Sequence, residues 1–545
     1  MKSIVWGMLR KSTLCYTLFL CKKKENDMAY NTNTYFIFFL PAVMLTYMLT
    51  PRKYRYITLL LASGVFFALI SKYLIAWCLL TTIITYFAGL KMDSYNRKAK
   101  ELPRTDKEGK ECLLKKSHRV AFLAIFVVVF ILAFLKYTQF TITEINKLFG
   151  TAFSVRKLAI PIGISFYTLQ AVGYLLDIYW KRISAERNLL HMALFMTFFP
   201  TLMEGPILRW DDIKDQLFKG EDITGQSFAR GAVRIGWGLF KRMIIADRMS
   251  VMINMLFRPT KQYHGFMIIF IMVSVSIQLY LEFSGTIDIV IGSAEIFGIR
   301  LPENFRQPFL SQNAAEFWRR WHISLGTWFK NYIFYPVSTS KMMKKWNKFG
   351  KKHCSKYWTM VVTSAIALFP VWMLNGLWHG PKESYILYGV FYFIVLLIGE
   401  MWKPVGSAIA NGLHLDEKGK FVSVFRIFRT WIIIGVGETL FRADTFAQFK
   451  QMMANIFVKD FFVDIEIHGM GIGMDMGDYT VCLIGIIIVA LVDLKLEKNP
   501  MFLDNIPKLS ITKRWAVYYA FILAIVWFGA YGPGYQPIDL IYAGF

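Results

Sequence analysis

The chain runs to 545 residues, 55% of them hydrophobic and 17% aromatic, with a mean hydropathy of +0.40. No soluble domain of this size has a use for so much apolar surface, and several runs reach the roughly 20 residues that carry a helix across a hydrocarbon core. The formal charge of +26 does not point to nucleic acid, because the lysines and arginines cluster between apolar runs. That is the positive-inside pattern of a membrane protein, with added attraction for anionic lipid.

The apolar runs are continuous and do not alternate with period two, so they read as helices and not as barrel strands. The predicted fold is therefore an all-α, polytopic helical membrane protein with about eleven spans plus re-entrant and interfacial helices. The six cysteines (Cys15, Cys21, Cys78, Cys112, Cys354 and Cys482) are scattered. Their spacing suits neither a disulfide framework nor a zinc site.

Residues 1–27 look unlike the rest, a partly apolar stretch interrupted by Arg10 and Lys11 and followed by Lys22, Lys23 and Lys24. The expectation is an N-terminal extension ahead of a functional start at Met28, with 28–545 forming one membrane domain. Spans are predicted at 35–49, 56–71 and 73–90, and 91–119, with ten Lys and Arg, is expected to be a cytoplasmic loop. Residues 120–137 cross outward, and 160–180 return to the basic pair Lys181-Arg182. Residues 192–206 are broken by Pro200, Glu204, Gly205 and Pro206, and read as a re-entrant or kinked piece, since such breaks need cover from protein or a water-filled cavity. Residues 210–230 are amphipathic and interfacial. The stretch 232–256 carries Lys241-Arg242 and Asp247-Arg248 and reads as a tilted or broken span, whereas 266–281 is cleaner.

The lysine-rich segment 341–356 has no acidic residue and is placed in the cytoplasm, so 357–378 climbs outward. After it 384–401 crosses inward and 424–440 outward. The polar stretch 441–479, with Gly-Met repeats from Gly469 to Gly477, suits the outer side. Residues 481–492 return, 495–514 are basic and inside, and 515–531 exit.

Two of the eight histidines flank the 357–378 span. His322 lies in an aromatic and basic block, Phe317-Trp318-Arg319-Arg320-Trp321-His322, and His379 closes Asn375-Gly376-Leu377-Trp378-His379-Gly380. Ionisable groups at the ends of membrane segments are costly and mark function by default. On this topology His322 sits near the cytoplasmic entrance and His379 towards the outer half, at different depths. An imidazole can take a proton from a hydroxyl and pass it to a leaving group, so acyl transfer from a thioester to an alcohol needs little beyond one base and an orienting donor. His379 is the candidate base. Asn375, one turn earlier on the same face, is the candidate orienting group. Trp378 and Trp321 are candidates to stack on a sugar or adenine, and Arg319 and Arg320 to hold phosphates. Plainer readings stand beside these: His379 as a helix cap, His322 as part of an interfacial belt, the lysines of 341–356 as topogenic signals, and Glu204 and Asp288 as partners of buried cations.

Taken together, several motifs resemble the membrane-bound O-acyltransferase superfamily, most of all its alginate O-acetyltransferase branch. They are Pro161-Ile162-Gly163-Ile164-Ser165-Phe166-Tyr167-Thr168-Leu169-Gln170, Phe198-Phe199-Pro200 leading to Gly205-Pro206-Ile207, Glu282-Phe283-Ser284-Gly285 to Leu301-Pro302-Glu303-Asn304-Phe305, the His322 block, Gly376 to Gly380, and Leu440-Phe441-Arg442-Ala443-Asp444. The resemblance implies a helical membrane enzyme that moves an acyl group from a cytoplasmic donor, acetyl-CoA or another acyl thioester and not a bound cofactor, towards an acceptor outside. It implies His379 as the working histidine, with His322 as a second functional position. It also implies a bacterial cell-membrane location, an extracytoplasmic acetyl-accepting or polysaccharide-modifying partner and a polysaccharide acceptor. Departures are Met203-Glu204 before Gly205-Pro206, where small apolar residues are more usual, and Glu282 in place of an aspartate. D-alanyl transfer to teichoic acid and a non-enzymatic transporter remain as alternatives, the first disfavoured by the 161–170 motif.

Overall fold

The computed structural model describes residues 29–531 other than 31, 155–157, 259–262, 418 and 465–471, with 410 described by its backbone alone. The expected N-terminal extension and part of the Gly-Met stretch lie outside the described residues. Within them every named element is helical, and the one pairing of extended backbone is an isolated bridge between Phe305 and Trp321. Seven helical runs are long and apolar enough to cross a membrane: Arg52–Glu101, Lys107–Phe149, Phe266–Ile296, Lys356–His379, Glu383–Ile409, Met476–Lys498 and Ile511–Phe528. This is a multi-pass membrane protein. The first run is two helices, Arg55–Ser71 and Ile75–Glu101, separated where Lys72 takes φ 50°. The expectation of about eleven spans included shorter or charge-bearing helices such as Ile164–Tyr179 and Lys420–Arg442, which fall outside the seven.

Two segments expected as loops are helical. The helix Ile75–Glu101 runs into the basic 91–119 segment, and Lys107–Phe149 starts inside it, where the Asp106 carboxylate accepts from the Gly109 N–H. Lys341–His353 is also a helix, capped by Ser340 on the Met343 N–H. Lysine, arginine, glutamate and alanine are good helix formers, so a run of charge says which side of a membrane it faces and not that the helix stops; the one break in 91–119 falls between Glu101 and Lys107, around Pro103.

The two breaks were legible. Helix Leu189–Thr197 gives way to a single 3₁₀ turn, Phe199–Thr201, and then to irregular backbone, all of it buried as far as Leu208. Its polar groups find partners there: Phe199 donates its N–H to Ser63 Oγ at 3.0 Å and accepts from Tyr30 Oη at 2.7 Å, and Ile207 N–H donates to Ser324 Oγ at 3.0 Å. Protein thus supplies the cover that non-helical backbone needs at membrane depth. In the 232–256 stretch, the π-helical segment Phe240–Ala246 joins Gly225–Leu239 to Asp247–Leu256.

Helix Phe266–Ile296 is the hub. Two-thirds of its most apolar window is buried, 67% against none for Ile511–Phe528 at the periphery. Helix Gly225–Leu239 lies antiparallel on it, meeting it at Gly231 against Gly292 and Gly238 against Gly285. A β-carbon at 231 or 238 would fall 2.6 or 2.5 Å from the facing carbonyl oxygen. Small residues of this kind let membrane helices come within backbone contact. The same device joins Lys356–His379 to Glu383–Gly412, where Gly376 lies on the Tyr385 carbonyl and Gly389 on that of Trp372.

Candidate active site

The helix Lys356–His379 ends on its histidine, and the last carbonyls of a helix lack partners within it. Here another span supplies them. Lys136, buried in Lys107–Phe149, donates from Nζ to the Trp378 carbonyl at 2.7 Å and to Ser165 Oγ at 3.1 Å, while the Tyr137 hydroxyl donates to the Leu377 carbonyl. The His379 ring is buried among Trp378, Phe441, Tyr388 and Tyr385, with centroids 5.1, 5.0, 5.9 and 6.1 Å away. Tyr388 hydrogen-bonds at 3.3 Å to Glu438, a wholly buried carboxyl. Asn375, one turn before His379, is buried with its Oδ1 atom lacking a hydrogen-bond partner among the described residues.

His322 is placed by a different device. It occupies the left-handed region (φ 46°, ψ 52°) as the N-cap of helix Ile323–Phe329. The preceding extended residues pair with the 304–306 strand-like segment, through Arg306 N–H to the Arg320 carbonyl at 2.9 Å and Ile323 N–H to that of Asn304 at 3.0 Å. Asn304 Oδ1 accepts from Ser324 N–H at 3.0 Å and from Ser324 Oγ at 2.9 Å, and lies 3.3 Å from His322 Nδ1. An oxygen in that role can only accept, which assigns the proton to Nδ1 and the lone pair to Nε2. Nε2 is buried with no hydrogen-bond partner among the described residues. Burial pushes the His322 pKa down to about 3, so the ring is neutral and Nε2 keeps its lone pair.

The histidines are neighbours across one indole, whereas the topology of the apolar runs predicts them at different depths. The His322 ring lies 5.5 Å from the Trp378 indole, which also packs at 5.1 Å on His379. His322 and Lys136 each lie within electrostatic range of His379.

Close by is a cavity of about 740 Å³ whose walls carry Arg234, Lys241, Arg306, Arg319 and Arg320 beside Asp288, Glu303, Glu316, Asp493 and Glu497. Its aromatic wall includes Phe305, which packs at 5.0 Å on Phe283, and Phe283 packs at 4.9 Å on His322. Most of the cations are engaged. Asp288 pairs with Lys241 at 2.5 Å and Arg234 at 2.6 Å, as its expected role of cation partner requires, and Arg234 also reaches Glu303 at 2.6 Å. Arg320 is held by Glu497 at 2.7 Å and Glu316 at 2.8 Å, and the bond to Glu497 raises its pKa. Arg319 is exposed into the cavity and has no ion pair among the described residues.

Comparison with known proteins decides the family. Residues 181–351 match the model of the membrane-bound O-acyltransferase family, MBOAT. A probable alginate O-acetylase, AlgI, of Pseudomonas syringae pv. tomato is 30% identical over 421 residues, 76% of this chain and 73% of that protein. The chain belongs to the membrane-bound O-acyltransferase family. A peptidoglycan O-acetyltransferase of Helicobacter pylori is 30% identical over 295 residues, 49% of this chain and 53% of that protein. A teichoic acid D-alanyltransferase of Bacillus subtilis is 29% identical over 238 residues, 43% of this chain and 58% of that protein.

In this acyltransferase the expected site residues fall into two groups. His379, His322, Trp378 and Asn375 come together at one helix end, and Arg319 and Arg320 line the neighbouring cavity. Trp321 stands apart, buried with Phe317 stacked on it at 5.4 Å and Phe305 perpendicular to it at 5.1 Å. Sequence reasoning did not single out Asn304, Lys136, Tyr388 or Glu438. Only Lys136 carried a local signal, as a lone cation late in the apolar run 120–137.

Proposed function

We propose that this acyltransferase moves an acetyl group from a cytoplasmic thioester, with acetyl-CoA as the first candidate, to hydroxyls of an exported cell-surface polysaccharide. Transfer is direct or by way of an extracytoplasmic acetyl-accepting protein, and the enzyme works in the cell membrane. The observation that carries this reading is the meeting of two buried imidazoles on one indole, at the end of a membrane helix, with His322 two phenylalanine rings away from a cavity lined by charged side chains. The acetyl-transferring relatives, named for alginate and peptidoglycan, support the acceptor class.

In the proposed reaction His379 takes the proton of the acceptor hydroxyl as its oxygen bonds to the thioester carbonyl carbon. The tetrahedral intermediate then breaks its C–S bond, and the proton passes from the imidazole to the departing thiolate. The Asn375 amide is placed to orient the hydroxyl or meet the oxyanion. Arg319, a cavity arginine with no ion pair among the described residues, is the candidate to hold donor phosphates, with the thioester reaching past Phe305 and Phe283 towards the imidazoles.

Membrane vesicles holding the enzyme, supplied with labelled acetyl-CoA, test this. Alkali-labile label in the polysaccharide fraction is expected. Transfer of D-alanine from a carrier protein with no use of acetyl-CoA would overturn the donor and the acceptor together.

A further inference from the structure

The proposed reaction leaves the buried Lys136 without a role. Lys136 lies in the most apolar of the spanning runs, is 6% exposed, and has no carboxylate partner among the described residues. A cation at such a place is costly, and an apolar residue of similar shape would avoid the cost. Its ammonium instead grips the Trp378 carbonyl at 2.7 Å, next in the chain to His379, and Ser165 of the 161–170 motif at 3.1 Å. Tyr137 takes the preceding carbonyl, that of Leu377. Two consecutive residues of one span therefore cap the last turn of another, in the place where a helix's own backbone offers no donors.

We propose that Lys136 is a positioning residue for His379: its bond to the Trp378 carbonyl, anchored through Ser165, fixes the end of the helix and with it the direction of the imidazole. The proposal rests on the reading of His379 as the base. A base held by one terminal helical turn gains most from such a clamp, because a displacement of about 1 Å at a reacting group costs on the order of 10²-fold in rate.

The test uses full-length enzyme in nanodiscs, comparing wild type with Lys136→Met, close in shape but without donors, and Lys136→Arg, which keeps charge and donors. Turnover with acetyl-CoA and backbone amide exchange are measured on the same preparations. For Lys136→Met the expected result is kcat lower by about 10- to 100-fold with KM for acetyl-CoA within about twofold. Amide exchange should be faster over residues 376–382 and unchanged over 356–370, and Lys136→Arg should recover part of both losses. Unchanged kcat, unchanged exchange at 376–382, or faster exchange along the whole helix would overturn the clamp. If wild type makes no product from acetyl-CoA, the donor assignment fails. The exchange pattern then decides the clamp alone, local fraying in Lys136→Met sustaining it and its absence overturning it.

Discussion

Asn304 does for His322 what a carboxylate does in many histidine sites: one fixed acceptor on Nδ1 aims the opposite nitrogen. Replacing it with alanine leaves Nδ1 without that acceptor and frees the tautomer. For Asn304→Ala kcat should fall by roughly 10- to 100-fold at nearly constant KM, and steady-state rates at matched enzyme abundance check it. The acid side of stability carries a second signature of the same residue. His322 is neutral in the fold down to about pH 3 while its ordinary pKa is 6.5, so below that value the unfolded chain binds the proton and the fold does not. Stability is therefore complete above about pH 6.5 and is lost as the pH drops from there. His322→Gln removes this contribution, and its melting temperature should fall less than that of wild type between about pH 6.5 and pH 4.5. An equal fall in both would show that the buried ring does not titrate as described. In the cavity the two arginines should separate. Arg319→Ala should raise KM for acetyl-CoA by about 10-fold or more, whereas Arg320→Ala, which breaks ion pairs to Glu316 and Glu497, should act mainly on stability.

The elements show what an amino-acid sequence can and cannot disclose here. Long apolar runs became helices because a bilayer leaves the backbone no other partner, and the breaks at Pro200 and at Lys241-Arg242 were visible as residues that an unbroken lipid-facing helix does not carry. The helical character of 341–353 and of 91–119, apart from residues 102–106, was missed because charge was read as loop. The site was half legible. His379, Asn375 and His322 stand out locally, but Lys136 reaches a carbonyl 242 residues away, and the expected separation of the two histidines ignored how the 304–306 segment folds His322 back against Trp378. Close helix contact was equally invisible, since a glycine in an apolar run looks like any small residue. The hairpin that carries His379 depends on it. Gly389→Leu would drive its side chain into the Trp372 carbonyl, an overpacking cost of about 1–3 kcal/mol or more. Thermal unfolding in detergent should show the loss, and activity should fall with it because Trp372 and His379 share one helix.

Across the whole molecule, the arrangement is a membrane enzyme in which a buried hub helix, Phe266–Ile296, carries Tyr280 and Asp288 of the charged cavity and, one turn from Tyr280, Phe283 against His322. The helix hairpin that ends and restarts at His379 closes the site. The charged cavity and the His322 imidazole are thereby set two phenylalanine rings apart, and His379 lies beyond them across the Trp378 indole. The account stands on His379 as the base of that transfer. The most direct measurement is ester-linked acetate on cell-surface polysaccharide in a strain lacking this gene, complemented with wild type or with His379→Ala at matched membrane abundance. A general base contributes about 10²–10⁴-fold, so wild type should restore the acetate and the variant should leave it at the level of the deletion. Full restoration by His379→Ala would contradict the account and make the histidine a structural residue.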